Sequence, residues 1–284
     1  MLTCTRQTLF ALLLIIPFTP LHAESKRGEV DPNISQEVDQ LMKITGLKQM
    51  IDTFPQEIEA QINQQKMGNP NGALTEEESR LLFSHFSADT IYQSLKQHLS
   101  RTLDSREIST LLQVHDKPLM KRIVTAEVAS SSIESQKEMA AFIAGLRHRP
   151  PSDQRMKMIQ QLDRASMSTD SVIYIIEMMM LGMGELMMER NGELNTASKA
   201  QMEETITNTI RLIEGELRQQ IIMSMHYIYR DFSDAEVMRY IEQLKSDENQ
   251  HYTRAAIEGI GIAILDAFKQ GVDQLLLLRN ARAA

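Results

Sequence analysis

The chain is almost without cysteine, wholly without tryptophan, and poor in glycine, proline and aromatic residues. Its one cysteine, Cys4, precedes the apolar run near the N-terminus, so a chain cleaved behind that run carries no thiol. Disulfides, thiolate nucleophiles and cysteine-ligated metals are then excluded, and the fold must rest on an ordinary apolar core, which 284 residues can supply. Beyond the N-terminal segment no stretch approaches the roughly 18 uncharged apolar residues of a membrane-crossing helix, so no integral membrane span is expected after processing. Basic residues are outnumbered by acidic ones, with a formal charge of -8, which makes nucleic acid an unsuitable partner. Neither a G-x-S-x-G elbow, nor a phosphate-cradling glycine loop, nor an H-E-x-x-H pair occurs.

What is abundant is methionine, with 19 residues, together with Leu, Ile, Gln and Glu. These are helix formers, and strand formers are scarce, so the composition alone points to an all-α fold. At the N-terminus Arg6, an apolar run broken by Pro17 and Pro20, and a small residue at Ala23 make the pattern of a secretory signal peptide. Residues 1–23 are therefore expected to be removed after Ala23, and the polar segment 24–34 to form a flexible leader.

From Ser35 onward apolar residues recur at three- and four-residue steps, beginning with Val38, Leu41, Met42 and Ile44. A short helix is expected around Pro55 and a loop over 65–74, followed by a cap at Thr75 with Glu78. Asp104 with Glu107 repeats that cap, Pro118 opens a long helix, and Ser130 to Ser132 bend or interrupt it. Pro150 and Pro151 mark the best boundary, because a residue before proline is driven out of the helical region. Helices then follow to Arg164, from Asp170 to Arg190, from Thr196 to Tyr229, from Asp234 to Lys245 and from Asp247 to Arg279. The expected architecture is a helical bundle of roughly eight to ten helices in two tandem modules, 35–148 and 152–280.

Tandem modules are suggested by a shift of 129 residues, which lays residues 99–112 over 228–241. Arg101 then meets Arg230, Glu107 meets Glu236, and the capping residues Asp104 and Ser233 coincide; without a gap, Ile123 meets Tyr252 and Ala126 meets Ala255. The phrases ITGLKQMIDTFPQEIEAQI (44–62) and TLDSREISTLLQVHDKPLMKRIV (102–124) resemble the bacterial family catalogued as domain of unknown function 2059. That resemblance implies a helical protein of the cell envelope, periplasmic rather than fully secreted, and no particular activity.

The most unusual segment is EMMMLGMGELMMER (177–190), where Met180, Met183 and Met187 share a helical face flanked by Met179 and Met188. Methionine packs adaptably in cores and in plastic binding grooves, and its soft sulfur also suits Cu(I). The six histidines beyond the N-terminal segment are scattered with no i, i+4 pair and read as surface or cap residues. The expected function is accordingly non-enzymatic binding of an envelope protein or peptide through an apolar groove, with no cofactor. Two alternatives stand beside it: a methionine-based copper or small-ligand binder, and a hydrolase with an unfamiliar constellation.

Overall fold

A computed structural model describes residues 32–53, 75, 77, 80–81, 84–192 and 195–283. The signal segment, the helix expected at Pro55, the loop at 65–74 and Glu78 of the proposed cap lie outside those residues. Every regular element among the described residues is helical. The named helices are α1 (Pro32–Ile44), α2 (Ala88–Thr102), α3 (Ser105–His115), α4 (Pro118–Ser130), α5 (Ile133–Leu146), α6 (Asp153–Ser166), α7 (Ser168–Asn191), α8 (Thr196–Ile228), α9 (Asp234–Leu244) and α10 (Asp247–Ala283). Residues 47–53 add a short helical stretch.

Local chemistry accounts for the ends of these helices. α1 takes in Pro32, Asn33 and Ile34, three residues that the sequence pattern assigns to the leader. A proline fits the first turn because its missing N–H would have no partner there anyway. α1 stops at the turn Thr45-Gly46, where Gly46 takes φ +79°. A Cβ on Gly46 would also stand 2.8 and 2.9 Å from methyl carbons of Val128 and Val124, so glycine is required there twice over. Ser132 caps α5, so the serine cluster ends one helix and starts the next. Between α6 and α7 the backbone turns at Met167 with φ +46°, and the buried Asp163 carboxylate accepts from the N–H and hydroxyl of Thr169 and from Arg218. An anion there meets the positive end of α7.

The 129-residue shift reappears in three dimensions. α3 and α9 match residue for residue, and α4 and α10 start at equivalent positions. Both short helices open with a full capping box, Asp104 with Glu107 and Ser233 with Glu236. In each box glutamate Oε2 accepts from the cap backbone, at 3.0 and 2.9 Å. The other oxygen crosses to the opposite repeat: Glu107 Oε1 lies 2.7 Å from His251 Nδ1 on α10, and Glu236 Oε1 accepts from Arg122 on α4 at 2.6 Å. Arg122 and His251 are themselves 129 residues apart, so the repeats exchange their closing helices reciprocally.

One buried apolar cluster spans both repeats. It joins Leu41, Leu95, Leu99, Ile108 and Leu111 to Ile159, Leu162, Ile221, Ile241 and Ile257. α10 runs along α2 and α7 and fits closely against both. A Cβ on Gly259 would stand 2.6 Å from the wholly buried Leu95, and one on Gly261 would overlap Met178. No described helix is long and apolar enough to cross a membrane.

The close approach at Gly259 has a measurable signature. Gly259→Ala is expected to lower the melting temperature, because the added methyl meets a packed leucine with nowhere to move. Gly215, exposed on α8 with nothing near its absent Cβ, serves as the control. Gly215→Ala should stabilise by about 1 kcal/mol through helix propensity alone. Thermal unfolding by circular dichroism separates the two, and equal gains at both sites would disprove the tight α2–α10 seam.

Candidate functional site

Two polar features flank the joint between the repeats. The first is buried. Glu127 on α4 is 4 % exposed, and its Oε1 accepts from the hydroxyls of Tyr229, just past α8, at 2.6 Å and of Tyr240, on α9, at 2.9 Å. Burial pushes the carboxyl above its ordinary value while the two phenols pull it back. Burial and the neighbouring carboxylate raise both phenols well above theirs. Beside this triad stands His115, at the end of α3 and 7 % exposed, with neither ring nitrogen hydrogen-bonded to the protein. Burial lowers its pKa to about 4, and the Asn249 side chain offsets this only in part. On α8, His226 is likewise buried and lowered to about 4, first by burial and then by Arg155. Both histidines therefore depart from the expectation of surface placement: their helices bury the faces that carry them.

The second feature is an open cleft of about 460 Å³ between α4, the start of α5 and the α8–α9 connection. Its walls carry Lys121 and Arg122 from α4, Ser135 from α5, and Tyr227, Arg230 and Phe232 from the other repeat. Two guanidinium groups lie over aromatic rings. Arg122 sits 5.0 Å from the centroid of Phe232 and Arg230 sits 3.9 Å from that of Tyr227. The cations are paired with acids: Lys121 with Asp116, Arg122 with Glu236, and Arg230, at 3.7 Å, with Asp231. Asp116 and Asp231 are 70 and 82 % exposed. Such exposed pairs contribute about 0–1 kcal/mol, so an incoming carboxylate can take the place of either acid at little cost. For Glu236 the position differs. The Ser233 backbone N–H, then its hydroxyl and Arg122, hold that carboxylate down to about 2, so it is a fixed element of the joint.

A hydrogen-bonded chain also reaches the cleft. Ser135 donates to Tyr227 at 3.0 Å, and Tyr227 donates to Glu138 at 2.8 Å. A phenol that gives its proton to a carboxylate is a poor base for a serine, so the chain fixes the hydroxyl in place more readily than it activates it.

Among the α7 methionines whose side chains are described, none lines this cleft. Met179 and Met180 are half-buried, and Met179 packs against the core. Met188 is half-buried near the end of the helix, and the side chains of Met183 and Met187 lie outside those described. Among the described residues no group of three His, Cys, Asp or Glu side chains is placed to hold a metal ion. Comparison with family models, with curated proteins and with solved structures returned no match.

The sequence offered one signal for the buried site. Met120, Ile123, Glu127 and Ser130 recur at helical spacing and are all buried, so Glu127 occupies a position where the period calls for an apolar side chain. The cleft had no such signal, because Arg122 and Arg230 are brought together only by the fold.

Burial of His115 makes stability depend on pH. Its folded pKa of about 4 lies below the unfolded value of 6.5, so the unfolded chain binds the proton more tightly. The stabilisation is complete above pH 6.5 and is lost as pH falls toward 4, on the order of 3 kcal/mol for the full shift. Glu127, shifted upward, acts in the opposite sense and loses stabilisation as pH rises. Urea unfolding at pH 7 and pH 4.5 is expected to show a large drop in the wild type and a smaller one in His115→Gln. Equal drops in the two proteins would contradict the burial.

Proposed function

We propose that the protein is an exported, periplasmic component of the cell envelope that works by binding, and that its partner is a protein or peptide segment rich in carboxylates. The segment lies in the cleft between α4 and the α8–α9 connection. The observation that supports this most is the convergence of Lys121, Arg122 and Arg230 on one concave surface, with both arginines stacked on aromatic rings, in a chain of net charge -8. Arginine and aromatic side chains are the groups that dominate binding energy at protein interfaces, and the cleft volume falls within the range of ordinary ligand sites. Export rests on the N-terminal pattern, and periplasmic placement on the family resemblance. Membership of the family of domain of unknown function 2059 rests on the phrases at 44–62 and 102–124. The contact surface in this reading is cationic and aromatic, and the methionine-rich helix lies away from it.

Calorimetric titration with a short acetylated peptide of alternating glutamate and leucine tests the assignment. Binding should weaken about tenfold in Arg230→Gln, equivalent to about 1.4 kcal/mol, and fall with added salt. The same peptide with glutamine in place of glutamate should not bind. Unchanged affinity in Arg230→Gln, or equal binding of the neutral peptide, would remove the cleft from consideration.

A further inference from the structure

Beneath the joint lies a pocket of about 40 Å³ whose walls include His115, Glu127, Tyr240, Asn249, Tyr252 and Thr45. Most of these polar groups are committed to the protein. Tyr240 donates to Glu127, Tyr252 and Thr45 share a hydrogen bond of 2.8 Å, and Asn249 Nδ2 donates to the Gln243 carbonyl and the Ser246 hydroxyl. His115 is the exception: nine-tenths buried, it borders the pocket beside the Asn249 side chain, and neither ring nitrogen makes a hydrogen bond of good geometry.

We propose that this pocket is a binding site for a cluster of about three ordered water molecules that bridges the two repeats. A neutral imidazole presents one N–H donor and one lone pair, so its ligand must both accept and donate. Water does both, and the space for it is right, since each molecule takes about 10–15 Å³ of such volume. The walls are mainly apolar, with Leu47, Met50, Val124, Leu244 and Ala256, and the partners that water needs there are His115, Asn249 and the Glu127 carboxyl. The waters connect His115 on α3 and Glu127 on α4, from the first repeat, with α10 of the second. Polar groups that no direct hydrogen bond joins are thereby linked across the joint.

A crystal structure of the protein at about 1.8 Å or better tests this directly. Two to four density peaks of water size, at least one within about 3.2 Å of His115 Nδ1 or Nε2, are expected. In His115→Leu those peaks should vanish and the melting temperature at pH 7 should fall, because the water network loses an anchor. An empty pocket in the wild type overturns the proposal, and so does density from a molecule larger than water. A higher melting temperature for His115→Leu likewise counts against it, since a dry, unpaired imidazole would be improved by an apolar replacement. Should that variant not fold, the wild-type density decides alone.

Discussion

Glu107 and Glu236 each perform two tasks with their two oxygens, and the arrangement of the whole molecule follows from that. Oε2 completes the cap of the glutamate's own helix, while Oε1 meets the closing helix of the opposite repeat. The start of α3 is therefore tied to the position of α10, and the start of α9 to the position of α4. Neither contact is strong by itself, because Glu107 and Glu236 remain partly exposed and pair with residues 41 and 56 % exposed. Their contribution is to register. The energy comes from the apolar seam they align, in which Leu95, Leu99, Ile257 and Ile264 disappear from solvent along α2 and α10.

Two similar repeats that exchange a helix face a problem of ambiguity, since each closing helix could settle against either partner. The buried network resolves it by being present on one side alone. Glu127, Tyr229 and Tyr240 correspond under the 129-residue shift to Ala256, Ser100 and Leu111. A carboxyl facing Ser100 and Leu111 instead would lose both phenol donors in a low-dielectric interior, a large cost. Placed against two phenols, it is satisfied on one oxygen twice over. The polar triad thus selects the α4–α9 pairing more than it strengthens it, which is the role that buried polar groups fill where similar packings compete.

Much of the architecture could be read along the chain because its determinants are local. Capping pairs three residues apart, prolines and a helical apolar period place α8, α9 and α10, and the starts of α3 and α4, within a few residues of their observed limits. The matching caps of α3 and α9 were legible for the same reason, since each is set by residues three apart. Placement of the polar groups was not, because it depends on contacts such as Glu127 with Tyr229, 102 residues away. The methionine run drew attention because composition is visible in sequence. Arg122 and Tyr227 did not, because each sits in an unremarkable amphipathic stretch, and Arg230 stood out only as the counterpart of Arg101; the three acquire a common surface only when α4 docks on the end of α8.

Divergence between the copies also explains why an open cleft exists at one end of the joint. α4 halts at Ser130, where the run Ser130 to Ser132 ends one helix and caps another, so the chain turns away and leaves the α8–α9 connection uncovered. Its counterpart α10 passes the equivalent position, Gly259, as unbroken helix and continues to Ala283, so the corresponding surface of α2 is filled by Leu95 and His98 pressed against it. The residues lining the two ends have parted in the same direction. Arg122, Tyr227 and Phe232 line the open end, whereas the shift places His251, His98 and Leu103 at the closed one. A surface that is covered needs compact, half-buried groups, while one that stays exposed can carry long cations laid flat on aromatic rings. A helix interrupted by three serines in one copy and continued in the other is thus enough to leave an open cleft at one end of a joint that is filled at the other.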